Sequence, residues 1–130
     1  SPREIALYED LGKRLAKRGY EQESERALTS MVEMLVNESE SHAKLAEIRQ
    51  GQGRWRDAMH HWKQVIRIRS LEPTGYLNLA RIQVHEKQWR EARETCEALL
   101  GQSWPERFRN VRHKTEQLLR QIPAGVEVTP

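Results

Sequence analysis

The sequence predicts an all-α fold: an α-solenoid of about seven antiparallel helices, stacked as three hairpins and closed by one further helix. Three observations predict it. First, Gly53-Arg54-Trp55-Arg56-Asp57-Ala58 is echoed by Lys87-Gln88-Trp89-Arg90-Glu91-Ala92, so that Trp55, Arg56, Asp57 and Ala58 return 34 residues later as Trp89, Arg90, Glu91 and Ala92. Self-similarity at a fixed period of this size marks a stacked repeat array. Second, 32% charged residues, 6% aromatics and few Gly or Pro suit helices and argue against a β-sandwich, a collagen-like chain or disorder. Third, apolar residues recur three and four apart through most of the 130 residues, the spacing that puts them on one side of a helix.

Taken in order, Ile5, Tyr8, Leu11, Gly12 and Leu15 form one face of a first helix that Gly19 ends. Ala27, Leu28, Met31, Val32, Leu35 and Val36 form the apolar face of a second. After a polar turn, a third helix over about 39–50 points Ala43, Leu45, Ala46 and Ile48 inward and stops at Gly51-Gln52-Gly53, where a tight reversal meets little side-chain hindrance. The fourth, about 55–69, carries Ala58, Met59, Trp62, Val65, Ile66 and Ile68. Pro73 steers the preceding residue away from helix and suits the first turn of a fifth, which carries Tyr76, Leu77, Leu79, Ala80, Ile82 and Val84. The sixth, about 89–100, buries Ala92, Cys96, Leu99 and Leu100 and stops at Gly101; a seventh over 105–122 places Phe108, Val111, Leu118, Leu119 and Ile122 at helical spacing. Residues 123–130 read as a tail or linker, in which Val126 and Val128 alternate as at the start of a strand.

Aligned at 34 residues, the hairpins share columns. Tyr8, His42 and Tyr76 fall together, as do Leu11, Leu45 and Leu79; Gly12, Ala46 and Ala80 are small; Gly19, Gly53 and Lys87 mark the turn; Ser24, Ala58 and Ala92 are small again; Leu28, Trp62 and Cys96, then Met31, Val65 and Leu99, are the filling positions. The pattern resembles the tetratricopeptide repeat over about 5–104, with units 5–38, 39–72 and 73–104 and a capping helix at 105–122, in one array over 1–122. The resemblance implies a right-handed superhelix. The physical basis stands beside it: small columns let two helices approach closely, large columns fill the gap to the next hairpin, and about three hairpins are needed to bury a continuous core. The first unit departs from the pattern, with Glu21 for an aromatic and Ser24 for Ala, as an end unit with one face in water does.

The net charge of +3 comes from 22 basic residues set against 19 acidic ones along the whole chain, the alternation of solvated helix faces rather than a basic stripe. No apolar run reaches the roughly 18–20 residues needed to span a bilayer, so membrane insertion is not expected. The start, Ser-Pro-Arg-Glu, lacks both an initiator Met and an apolar targeting core. We therefore read the chain as a segment of a larger protein; its compartment is open, with the cytoplasm as the default.

Chemistry-bearing residues have simple readings. Trp55, Trp62 and Trp89 occupy repeat columns and read as core rather than an aromatic cage. Trp104 reads either as a plug at the base of the last helix, which we favour, or as an exposed functional ring. Cys96, the single cysteine, sits in a large apolar column and reads as a structural thiol. His60 and His61 are neighbours whose side chains diverge by about 100°, and none of the five histidines forms a zinc-hydrolase pair with a central Glu. There is no phosphate loop, dinucleotide fingerprint or nucleophile elbow. No catalytic residue, metal site or cofactor is expected.

The resemblance implies that the first helix of each hairpin lines a concave groove. That picks out Glu9, Asp10, Lys13 and Lys17, then Lys44, Glu47 and Gln50, then Asn78, Arg81 and His85 as partner-binding residues. The expected partner is a protein or peptide segment carrying carboxylates. Some members of the family grip a free C-terminal carboxylate with a two-ended clamp of Lys, Asn, Asn, Lys and Arg. The matching positions here are Glu9, Lys13, Lys44, Thr74 and Asn78; Glu9 would repel the carboxylate, so binding of that type is not expected. Two other readings stand beside the groove: an architectural spacer or self-associating domain, with oligomeric state open, and an RNA-reading helical array. The scattered charge speaks against the RNA reading.

Overall fold

The computed structural model describes residues 2–33 and 37–125. The expected apolar positions Leu35 and Val36, and the alternating Val126 and Val128, lie outside the described residues. Among the described residues the chain forms seven α-helices and no strand: α1 (Pro2–Lys17), α2 (Glu21–Glu33), α3 (Glu38–Gly51), α4 (Trp55–Ile68), α5 (Thr74–His85), α6 (Trp89–Leu100) and α7 (Val111–Arg120), with a short 3-10 turn at Glu106–Phe108 before α7.

The helices pair as α1 with α2, α3 with α4, and α5 with α6; α4 then packs on α5, and α7 closes over α5 and α6. This is the packing of a helical repeat, and its turns repeat as well. Gly19, Gly53 and Lys87 are all left-handed, with φ of 84°, 73° and 58°. In each hairpin the following amide reaches back five residues: Tyr20 N to Leu15 O (2.9 Å), Arg54 N to Arg49 O (2.8 Å) and Gln88 N to Gln83 O (2.8 Å). That bond satisfies carbonyls the helix end leaves open. A polar tie joins the two helices of each hairpin. Ser24 Oγ donates to Gly12 O (2.6 Å), Trp62 Nε1 to Gln50 Oε1 (2.8 Å), and Thr95 Oγ1 to Gln83 Oε1 (2.7 Å).

Both small columns are buried in all three hairpins, and so are the filling positions Leu28, Trp62, Cys96, Met31, Val65 and Leu99. Around them lie three apolar clusters. Leu28, Met31 and Ile48 form one; Ala46, Ala58, Met59, Trp62, Val65, Leu79 and Ile82 form the second; Leu77, Val84, Leu99, Val111, Leu118 and Ile122 belong to the third. Pro73 is fully buried as the residue before α5 rather than within its first turn. Asn37 opens α3, its Oδ1 accepting from Glu40 N at 2.7 Å.

Three expectations need correction. The face of α1 is not wholly inward: Gly12 is buried and Ile5 and Leu15 are half-buried, but Tyr8 and Leu11 are exposed. The aligned column shows why. Leu11, Leu45 and Leu79 pass from exposed through half-buried to buried, because that face of each hairpin is covered by the hairpin before it. Trp55 and Trp89, at the first positions of α4 and α6, are only half-buried, whereas Trp62 is 2% exposed. The last helix is shorter than 105–122. Phe108 turns onto the third cluster from the 3-10 turn, and the chain bends at Arg109 and Asn110 before Val111 begins α7.

Candidate functional site

The expected groove residues, Lys44 and Gln50 apart, line three clefts at two sites. The first, about 610 Å³, lies between α1, α2 and α3, floored by Gly12, Ala16, Leu28 and Ile48 and rimmed by Glu9, Asp10, Lys13, Lys17 and Glu47. Acidic and basic side chains alternate around it, and several are already engaged. Lys44 Nζ lies 2.9 Å from Glu9 Oε2 and 3.4 Å from Glu47 Oε2. The hydrogen bond from Lys44 holds the Glu9 carboxyl below its usual range, and the same contact raises Lys44. Lys44 is therefore a strut between α1 and α3, already neutralised by two carboxylates. Asp10 is engaged by Arg14 at 3.0 Å. Gln50 is half-buried and accepts from Trp62, which takes it out of the groove.

The second site differs in charge. Two adjoining clefts of about 290 and 400 Å³ run between α5 and α7, and both are lined by Arg81 and Lys114. Asn78 lines the smaller with Arg107, Phe108 and Asn110; His85 lines the larger with Gln117 and Gln121. Among the described residues, no carboxylate lines either cleft. Arg81 is exposed and makes no ion pair or hydrogen bond among the described residues. Asn78 Nδ2 donates to Thr74 O at 2.9 Å, and Arg107 lies 3.3 Å from Glu72. His85 stacks on Trp55 with ring centroids 4.3 Å apart. Its Nδ1 is 3.4 Å from Glu86.

Five of these contributors, Arg107, Asn110, Lys114, Gln117 and Gln121, went unnamed at the level of sequence, where the last helix figured only as a lid. Their signal was present. Lys114 and Gln117 lie on the side of α7 turned away from Thr115, the innermost residue of that helix.

The other candidates settle into structure. Trp104 donates from Nε1 to Leu99 O at 2.8 Å and packs near Tyr76, the plug at the base of the last helix. Cys96 is fully buried, and burial pushes its thiol up to about 11. His61 pairs across the second hairpin with His42, Nδ1 to Nδ1 at 3.0 Å, one nitrogen carrying the shared proton. Burial first, then His42 and His60, lower His61. No group of three His, Cys, Asp or Glu side chains among the described residues is placed to hold a metal ion, and no described helix is long and apolar enough to cross a membrane.

No protein-family model matches the chain, and neither a curated protein nor a solved structure matches it.

Proposed function

We propose that this chain is a non-enzymatic, tetratricopeptide-like binding module, a right-handed superhelical stack that takes an acidic segment of a partner protein along α5 and α7. One observation carries the reading: two adjoining clefts share Arg81 and Lys114, and among the described residues no carboxylate lines either. The amides of Asn78, Gln117 and Gln121 stand beside those cations. A bound segment needs both kinds of group, charge for its carboxylates and amides for its backbone. The α1–α3 cleft suits that role less well, because Lys44 is held by Glu9 and Glu47.

The test is fluorescence anisotropy of the chain against labelled Asp/Glu-rich peptides and matched Lys-rich controls. Acidic peptides bind, with affinity falling as salt rises. Arg81→Glu together with Lys114→Glu weakens them by about tenfold or more, since like charge is then set against the ligand. Lys13→Glu changes little. Acidic peptides that bind the double variant equally well, or a single-stranded RNA oligonucleotide that binds more tightly than any peptide, overturn the reading.

A further inference from the structure

The smaller of the two clefts between α5 and α7, about 290 Å³, draws charge from three places in the fold. Asn78 and Arg81 come from α5, Arg107 and Asn110 from the chain ahead of α7, and Lys114 from α7 itself. Among the described residues, the side chains of Arg81 and Lys114 make no ion pair or hydrogen bond. Arg107 is held from two sides: Glu72 lies 3.3 Å from its guanidinium, which also sits 4.7 Å from the centre of the Phe108 ring. Glu72 neutralises it only in part, because the same carboxylate oxygen lies 3.4 Å from Arg69. Three cations thus meet in one small cleft, and the one carboxylate beside them is shared. A cleft at this end of the ligand-binding range holds one side chain and its head group rather than a whole cofactor.

Charge and shape select the head group. An Asp or Glu carboxylate brings one charge and two oxygens in a plane. A phosphoryl group on a serine or threonine brings close to two charges and three acceptor oxygens, and arginine meets it with paired N–H bonds. Two unanswered cations match that charge, and donors arriving from three elements match the three oxygens. Pro73, Leu77 and Val111 give the cleft an apolar wall, where charged hydrogen bonds gain strength. We propose that the segment bound along α5 and α7 is phosphorylated, its phosphoserine or phosphothreonine seated between Arg81, Arg107 and Lys114. The larger cleft takes the residues beside it: besides the two shared cations, it offers the amides of Gln117 and Gln121 and the His85 ring. A nucleic-acid strand repeats one charge at every phosphate and calls for a row of cations, which amides do not replace. The proposal rests on the α5–α7 clefts being the binding site.

Fluorescence anisotropy of the full chain tests this with three forms of one acidic peptide, identical except for a central Ser, Asp or phosphoserine. The phosphoserine form binds about tenfold or more tightly than the Ser form, and about threefold or more tightly than the Asp form. Arg107 lines the smaller cleft and not the larger, so Arg107→Gln removes most of that gain. Arg107→Lys keeps the charge without the paired N–H bonds and retains part of it. The position is exposed, so helicity by circular dichroism is unchanged in both variants. Equal binding of the three peptides overturns the phosphoryl site and leaves the acidic-segment reading standing; binding of none overturns both. A gain that survives Arg107→Gln seats the phosphoryl group elsewhere and overturns the assignment. So do phosphoinositide-containing vesicles, or a single-stranded RNA oligonucleotide, that bind more tightly than the phosphoserine peptide.

Discussion

At Lys87 the backbone is left-handed, φ 58°, at the turn position where the other hairpins use Gly19 and Gly53. A side chain there costs about 1 kcal/mol, because Cβ crowds the following carbonyl. Lys87→Gly is therefore expected to stabilise the chain by about 0.5–1 kcal/mol, after the extra freedom of glycine in the unfolded chain is set against it. Gly53→Ala is expected to cost a similar amount; no atom stands within 4 Å of the added Cβ, so the cost there is conformational alone. Urea melts of both variants check the pair. A second prediction concerns His61, whose pKa is lowered from 6.5 by burial and by His42 and His60. Arg49 lowers it as well, Asp57 opposes, and Glu38 lies 3.9 Å from His42. The unfolded chain binds that proton more readily than the folded one, so stability is full above 6.5 and falls as pH drops through the lower folded value. The carboxylates Glu9 and Glu25, lowered from 4.5, act only in more acid solution. Thermal melts between about pH 7.5 and 5 should show the loss, and His61→Gln should flatten it. An unchanged slope would assign the loss to another group.

Between elements, α1 and α2 meet over the smallest side chain available. A Cβ on Gly12 would lie 2.6 Å from Leu28 Cγ and 2.7 Å from its Cδ2, and Leu28 is itself buried. Gly12→Val is expected to destabilise by about 1–3 kcal/mol through overpacking. Gly12→Ala should lose less, because alanine's helix propensity returns about 1 kcal/mol. Leu28→Ala added to Gly12→Val should recover part of the loss, a coupling that a double-mutant cycle measures. At the other end, Trp104, Phe108, Val111, Leu118 and Ile122 cover Leu77, Val84 and Leu99. A chain ending at Gly101 loses that cover. It is expected to aggregate or to lose part of its helix signal, since each large apolar group left in water costs about 1.5–3 kcal/mol; a soluble, equally helical product with unchanged melting would deny α7 its capping role. The helices themselves were legible in the sequence: α4 and α6 start where Trp55 and Trp89 stand, and the turn column recurs at 19, 53 and 87. What periodicity could not report was which neighbour covers an apolar face, so Tyr8 and Leu11 looked like core. Reading one face of each first helix as a groove rested on the resemblance; which polar residues share that face was legible from helical register. That Lys44, Gln50 and Asp10 are occupied by other side chains was not, and neither was a His42–His61 pair separated by 19 residues.

Across the whole molecule, cohesion is uneven along the stack. The first cluster, among the described residues, is Leu28, Met31 and Ile48 with Ile5 and Val32 against it, and α2 meets α3 more thinly than α4 meets α5. Polar contacts do much of the joining there. Arg49 clasps Glu25 with both terminal guanidinium nitrogens, at 2.7 and 3.0 Å, Gln52 adds a third contact at 3.4 Å, and Lys44 reaches Glu9. The side chain of Arg49 is only 14% exposed, so a two-pronged charged bond of this kind is stronger than an open surface pair. In a stack where each hairpin touches only its neighbours, opening can occur at one end without the rest. The first hairpin is therefore expected to exchange its amide hydrogens faster than α5 to α7 in native conditions. Glu25→Ala leaves Arg49 without its carboxylate, and should accelerate exchange in α1 and α2 by about tenfold, equivalent to about 1.4 kcal/mol, while α5 to α7 keep their protection. Hydrogen exchange read by mass spectrometry separates the outcomes: acceleration confined to residues 2–33 means the first hairpin opens as its own unit, and equal acceleration throughout means the stack opens only as a whole.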